Sequence, residues 1–148
     1  MVKFRNLVWA AFFLASLVQG TAYSGEVINM QCANKDCKHA LEFQLGGGMF
    51  FEQATGYCAH CKKIVALTWT SPHALQAGVP VPKPVVEPPK PLAEVWDPAS
   101  GQVRKIYRCP NGDGAFMEIR GVDDFKCCPK CSRPTMKQDT SRPRLMVD

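Results

Sequence analysis

The stretch Cys58-Ala59-His60-Cys61, which precedes the β-branched run 64–69 (IVALTW), decides the fold that this sequence predicts. In a Cys-x-x-Cys turn the two sulfurs face one point and backbone N–H groups donate to them, an arrangement suited to thiolates that bind zinc. A second pair, Cys32 and Cys37, lies upstream with four residues between its members. Four thiols are enough to close a tetrahedral site, so we expect these two pairs to share one metal ion.

Residues 1–24 have the pattern of a secretory signal peptide. Two basic residues, Lys3 and Arg5, precede a twelve-residue apolar run, 7–18, and small residues at 22 and 24 fit a cleavage site before Gly25. A helix of twelve residues covers about 18 Å, whereas the hydrocarbon core of a bilayer is about 30 Å thick. We therefore expect cleavage rather than an uncleaved anchor, and export of the remaining chain to the periplasm or the extracellular space.

The charge is weakly positive, with 18 Lys and Arg against 13 Asp and Glu. The excess is concentrated toward the end of the chain, where five cations from Lys130 onward face only Asp139 and Asp148. We expect the terminal segment 138–148 to be a flexible, solvated basic tail. An anionic partner such as a membrane surface or a polysaccharide is the alternative. Nucleic-acid binding is not expected, because the chain carries an export signal and residues 25–78 have no net charge.

Residues 25–78 are predicted to form a first β module. Leu41, Phe43 and Leu45 alternate with polar residues, which is typical of a half-buried strand, and the glycines at 46–48 predict the tight turn of a hairpin. A return strand then leads to the Cys58 turn, and a third strand covers 64–70. Ser71-Pro72, followed by Gly78, predicts a helix of one or two turns.

Residues 79–92 contain six prolines and are predicted to be a linker. Proline has no backbone N–H, so neither a helix nor a sheet ladder is favoured, and polyproline II geometry is the default. At about 3.1 Å per residue the segment spans on the order of 40 Å. A ligand for a proline-reading domain is the alternative, but such domains are largely intracellular.

Residues 93–137 are predicted to form a second module that repeats the first. Strands are expected at 94–96 and 102–108, with a hairpin over 115–126. Cys128-Pro129-Lys130-Cys131 is a strong knuckle pattern, but the preceding knuckle begins at Cys109 and has Gly112 where its second thiol would fall. An additional thiol, Cys127, stands beside the second knuckle. Cys127, Asp113 or water are the candidates for the fourth ligand of this site.

The order of strands, hairpins and cysteine pairs resembles that of zinc-ribbon proteins with rubredoxin-like knuckles. The resemblance covers 30–69 and, in degenerate form, the second module. It implies a small, mostly β, metal-stapled protein of two ribbon-like hairpin modules, with one complete zinc site and one that lacks a thiol. His39 could replace Cys37 in the first site. The implied metal ligands are Cys32, Cys37, Cys58, Cys61, Cys109, Cys128 and Cys131.

Three chemistries compete for the eight cysteines. Their spacing favours structural zinc, whereas export and an even count favour disulfides, for which Cys109 and Cys127 are one candidate pair. Thiol exchange at Cys58 and Cys61 would be a third, but no βαβ thioredoxin pattern surrounds them. We expect a non-enzymatic binding or scaffold protein for an unidentified protein or envelope partner. The alternative is an exported disulfide-stabilised, thiol-redox or metal-handling protein that uses Cys127 and the incomplete site.

Overall fold

The computed structural model describes residues 25–81, 83–142 and 145–147, so the predicted signal peptide lies outside the described residues. Within these ranges the chain is a small, mostly β fold, as predicted. No helix in the described part is long and apolar enough to cross a bilayer. The strands are β1 Gly25–Cys32, β2 Ala40–Leu45, β3 Phe51–Cys58, β4 Lys63–Thr70, β5 Ala93–Asp97, β6 Gln102–Arg108, β7 Ala115–Met117, β8 Met136–Gln138 and β9 Leu145–Val147; the α-helix is α1, Pro72–Gln76.

The first sheet is organised around β1. One edge of β1 pairs antiparallel with β2, and its other edge pairs with β8 at Met30–Cys32 and with β9 at Gly25–Val27. Ile28, Met30 and Cys32 alternate along β1 and are all buried, which is the period of two that a strand with one covered face requires. Both ends of the described chain therefore meet in one sheet.

Two further sheets complete the fold, one made of β3 and β4 and one of β5, β6 and β7. The second and third sheets are joined where β3 runs beside the chain after β7: Gly56 bridges Glu118, and the Ile119 N–H donates to the Thr55 carbonyl at 2.7 Å. The Thr55 hydroxyl donates to the Gln44 carbonyl at 2.7 Å and so ties the second sheet to β2. The three sheets form one connected framework.

The apolar interior has two parts, and each contains buried cysteines. In the first, Phe125 packs edge-on against Phe43 and lies 5.9 Å from the ring of Tyr57. In the second, the rings of Tyr107 and Phe116 lie 5.8 Å apart. The buried members of the first cluster are Ile28, Met30, Cys32, Cys37, Phe43, Ile119, Phe125, Cys128 and Met136, and those of the second are Ala54, Cys58, Val65, Tyr107, Cys109 and Phe116.

The arrangement of the sheets differs from the serial order expected from the sequence. β1 belongs to the predicted first module, yet its partner β8 comes from the end of the predicted second module. β9 lies in the segment predicted to be a flexible tail and instead pairs with β1. Backbone hydrogen bonding between distant strands has no short-range sequence signature, which is why the spacing of the cysteines did not reveal it.

Three local expectations also need adjustment. The strands on either side of the glycines at 46–48 do not form the predicted hairpin, because β2 pairs with β1 and β3 pairs with β4. The predicted hairpin over 115–126 has its first strand, β7, but Val122–Asp124 forms a 3-10 helix in place of the second. The side-chain carboxylate of Asp124 accepts the N–H of Arg120 at 2.9 Å and closes this turn. In the proline-rich linker, the carbonyl of Val86 accepts the Thr70 N–H at 3.0 Å, so this part of the linker lies against the end of β4.

Candidate metal centres

Seven of the eight cysteines converge in two groups. The four-thiol centre has every pair of sulfurs within 4.8 Å, and the three-thiol centre meets the same limit. None of the eight cysteines forms a disulfide. The four-thiol centre comprises Cys32, Cys37, Cys128 and Cys131, and the three-thiol centre comprises Cys58, Cys61 and Cys109.

The sulfur distances in the four-thiol centre suit one tetrahedral ion. The Sγ atoms of Cys32 and Cys131 are 3.8 Å apart, and those of Cys37 and Cys128 are 3.7 Å apart. Sulfurs that each lie about 2.3 Å from a zinc ion at the centre of a tetrahedron are about 3.8 Å from one another. Three of the four residues are buried, and Cys131 is partly exposed. The group is therefore a closed site that offers four soft ligands.

Local turns aim these thiols at one point. Cys32 ends β1, and its N–H donates to the His39 carbonyl at 2.8 Å, which brings the two arms of the first loop together. On the other side the Cys128 N–H donates to the Arg133 carbonyl at 2.8 Å, and the Ser132 N–H donates to the Cys128 carbonyl at 2.7 Å. Each side thus presents two thiols from a hydrogen-bonded loop, even though the first loop is two residues longer.

A left-handed residue follows the second cysteine of each pair. Lys38, Lys62 and Ser132 have φ of 48°, 56° and 56°. This conformation is unfavourable for residues with a Cβ, and it turns the chain sharply just after the ligand. The longer loop at Cys32–Cys37 shares this feature with the two Cys-x-x-Cys turns, and that likeness was hidden in the sequence because none of the three positions is glycine.

Hydrogen bonding and burial have opposite effects on the thiol pKa values of the four-thiol centre. The backbone N–H of Arg133 is the largest influence on Cys131 and lowers the pKa of its thiol to about 6. Desolvation by burial raises the pKa of the Cys37 thiol to about 12. Thr135 places its hydroxyl 3.0 Å from the Cys32 sulfur. Because metals bind thiolates, binding here displaces protons from thiols such as Cys37.

The three-thiol centre lies in the second apolar cluster. Cys58 ends β3 and Cys109 directly follows β6, and the Cys61 and Cys109 sulfurs are 3.8 Å apart. The backbone N–H of Cys61 lowers the pKa of the Cys58 thiol, whereas burial raises the pKa of the Cys109 thiol to about 11. The spacing again suits a metal with sulfur ligands, with one ligand fewer.

Two glycines lie beside this centre and leave different amounts of space around it. A Cβ on Gly114 would lie 2.8 Å from the Cys58 sulfur and 2.7 Å from the His60 Cβ, so the Gly114 backbone packs directly on the thiol. A Cβ on Gly112 would have only the His60 ring near it, at 3.9 Å. Gly112 occupies the turn position at which the other knuckle carries Cys131. The centre is closed on the side of Gly114 and has room on the side of Gly112.

A cleft of about 530 Å³ borders the three-thiol centre at Cys109 and Gly112. Its charged lining residues are Lys90, Arg108 and Asp113, which gives the cleft a positive balance. The carboxylate of Asp113 is in neither group of potential ligands among the described residues. The cleft provides solvent access beside the missing fourth thiol.

The grouping of the thiols corrects the expected pairing. Cys32 and Cys37 do not join Cys58 and Cys61; they join the knuckle at Cys128, and the incomplete centre is the one that contains the Cys58 turn. Cys127 is exposed and belongs to neither group. Neither His39 nor His60 belongs to the ligand groups found in the described ranges. The pairs themselves were visible in the sequence, but their partners depend on the pairing of β1 with β8.

Comparisons with protein-family models, with curated proteins and with solved structures give no match for this chain. The two thiol groups are therefore the features of the chain that bear on its function. Four thiolates in a tetrahedron are typical ligands of zinc or iron, and three thiolates leave a fourth coordination place to be filled.

Proposed function

We propose that this protein is an exported, non-enzymatic zinc protein, a ribbon-like scaffold that zinc holds together and that binds a protein or envelope partner. The observation that carries the proposal is the set of four converging sulfurs at Cys32, Cys37, Cys128 and Cys131, with neighbouring distances of 3.7 and 3.8 Å. This spacing is that of a tetrahedral zinc–thiolate site.

A structural role for this zinc is supported by the closure of the site. Structural zinc has four protein ligands, whereas catalytic zinc keeps a place for water or substrate. The four-thiol centre offers a full set of ligands, and three of its residues are buried in the first apolar cluster. Zinc bound there would join β1 to the segment that leads into β8 and would stabilise the sheet in which both chain ends meet.

A zinc-ribbon-like arrangement is supported by the loops that carry the thiols. Each centre draws its ligands from two chain segments that lie side by side, and a left-handed residue follows Cys37, Cys61 and Cys131. The ribbons of this proposal are composite, since each combines residues from before and after the proline-rich linker. Export is supported by the charged and apolar pattern of residues 1–24.

The competing proposal is a protein stabilised by disulfides. Its strongest support is the exporting signal, because oxidising compartments favour disulfide formation. The sulfur spacing favours zinc instead: bonded sulfurs lie about 2.05 Å apart, whereas the neighbouring sulfurs here are at 3.7–3.8 Å. Each cluster also brings together more than two thiols, which suits a shared ion better than a pairwise bond.

Metal analysis of the mature chain, purified from the exported fraction without chelator, tests the proposal. We expect zinc at each thiol group and eight titratable thiols once the protein is unfolded with chelator under non-reducing conditions. Four disulfides and no metal would refute the zinc scaffold in favour of the disulfide protein. Iron in place of zinc would refute the choice of metal and leave the ligand set in place.

A further inference from the structure

We propose that the metal of the three-thiol centre takes its fourth ligand from solution, in the form of a small anionic thiol that enters beside Gly112. The inference rests on the proposed function, because it requires that the thiol groups bind metal. The proposed function makes both centres structural, whereas here the two differ: the four-thiol centre is closed and structural, and the three-thiol centre exchanges a ligand.

Among the described residues, no fourth side chain joins the three thiols of this centre. Within the described ranges the group of possible ligand atoms contains Cys58, Cys61 and Cys109 alone, and Asp113 and His60 are outside it. A divalent metal with three thiolates completes a tetrahedron with a further ligand, and in an open site that ligand is exchangeable.

The chain leaves space for that ligand beside Gly112. The corresponding turn of the four-thiol centre runs Cys128-Pro129-Lys130-Cys131, and here the fourth position is Gly112 in the run 109–112 (CPNG). A Cβ at Gly112 would have nothing closer than the His60 ring at 3.9 Å. The position beside Gly112 therefore has room for an external ligand, and a thiol there would restore the four-sulfur set of the other centre.

The cleft that leads to this space has a positive balance of charge. Three thiolates leave a divalent metal with a net negative charge, so an anionic ligand needs positive groups nearby. The cleft beside Cys109 and Gly112 carries Lys90 and Arg108 against the single carboxylate of Asp113. Opposite charges in a cleft raise the local concentration of an anion and favour its binding. The thiolates already in the centre select a soft metal, which favours a sulfur donor, and the positive balance of the cleft favours a ligand that carries an additional negative charge.

Cobalt(II) provides the test, because its absorption reports the number of sulfur ligands and their geometry. The full mature chain is loaded with two equivalents of cobalt(II) and titrated with mercaptoacetate, an anionic thiol. We expect saturable growth of the sulfur-to-cobalt charge-transfer band from one centre, with the cobalt content unchanged after desalting. The neutral thiol 2-mercaptoethanol should bind at least fivefold more weakly, and acetate should leave the charge-transfer band unchanged.

Variants assign the response to this centre. Cys61→Ser should abolish the titration while the spectrum of the four-thiol centre persists. Lys90→Ala combined with Arg108→Ala should weaken mercaptoacetate at least fivefold, whereas the exposed Lys35→Ala, outside the cleft, should not. His60→Ala should leave the titration intact; if it instead changes the thiol-free spectrum and mercaptoacetate has no effect, His60 is the fourth ligand and the inference is wrong.

The outcomes separate this inference from the proposed function. If no cobalt binds, the metal-binding function itself fails. If one cobalt binds, at the four-thiol centre only, the scaffold proposal stands and the ligand-exchanging centre is refuted. If two cobalt ions bind and mercaptoacetate leaves the spectrum unchanged, or acts equally on the Cys61→Ser variant, the inference is likewise refuted.

Discussion

The sulfurs of Cys37 and Cys128 lie 3.7 Å apart although 91 positions separate the two residues. Between them in the chain lie all three members of the other centre, Cys58, Cys61 and Cys109. The two centres are therefore nested rather than consecutive: the outer one joins the two ends of the chain and the inner one joins its middle. A metal in the outer centre closes a long loop, which is where a cross-link constrains the unfolded chain most.

The nested order predicts which cysteine variants remove the same metal ion. Cys37→Ser and Cys128→Ser should each remove one of two metal ions and lower the free energy of unfolding by about 4 kcal/mol or more, because loss of a bound structural metal is among the largest single effects. The double variant of Cys37 and Cys128 should still retain one metal, because both residues belong to the four-thiol centre. A double variant of Cys37 and Cys58 should retain none. Elemental analysis with thermal unfolding measures both effects.

Cys127→Ser is the matched control, since this thiol is exposed and outside both groups. It should keep both metals and the melting temperature of the unmodified protein. If the Cys37 and Cys58 double variant kept one metal, the two residues would share a centre, and the nested arrangement would be refuted in favour of serial modules.

The contact of Gly114 with Cys58 predicts a selective effect on the three-thiol centre. A Cβ at Gly114 would fall 2.8 Å from the Cys58 sulfur, so Gly114→Ala must displace the thiol or the turn. Overpacking of this kind costs about 1–3 kcal/mol, which corresponds to roughly fivefold to 150-fold weaker metal binding. Competition with a chromophoric chelator measures the affinity of each centre separately.

Gly121→Ala controls for the loss of a glycine, because a Cβ there meets nothing within 4 Å. It should leave both affinities unchanged. A result in which Gly114→Ala weakens the four-thiol centre as much as the three-thiol centre would contradict the local origin of the effect.

The left-handed backbone at Lys38 predicts that replacing this lysine with glycine stabilises the protein. Lys38 is exposed and has φ of 48°, a conformation that glycine adopts without steric cost. We expect Lys38→Gly to raise the free energy of unfolding by about 0.5–1 kcal/mol, and Lys38→Val to lower it by at least about 1 kcal/mol, since β-branched residues tolerate this region least. Chemical denaturation of the metal-loaded protein measures the change.

Lys35→Gly is the comparison for this pair, because Lys35 is also exposed but is not among the residues with positive φ. There glycine only increases the freedom of the unfolded chain, so stability should fall or stay level. Equal gains from glycine at Lys35 and Lys38 would show that the left-handed conformation is not the cause.

Local structure was largely predictable from short patterns. The alternation of Leu41, Phe43 and Leu45 lies within β2, and the β-branched run after the Cys58 turn lies within β4. Pro72 begins α1 as expected for the first helical position. The seven predicted ligands all lie in the two thiol groups, because a knuckle is a property of a few consecutive residues.

The assignment of those ligands to centres came from the tertiary structure alone. Cys-x-x-Cys spacing specifies that two sulfurs face one point, but it contains nothing about which other pair shares that point. The choice follows from the pairing of Cys32 with Met136 in the register of β1 and β8, where strands from opposite ends of the chain meet. The sequence by itself thus determined the thiol pairs, their turns and the missing thiol at Gly112. Long-range strand pairing decided that the missing thiol belongs to the centre of Cys58 and Cys61, because backbone hydrogen bonds between distant strands depend on the whole fold and not on local residue spacing.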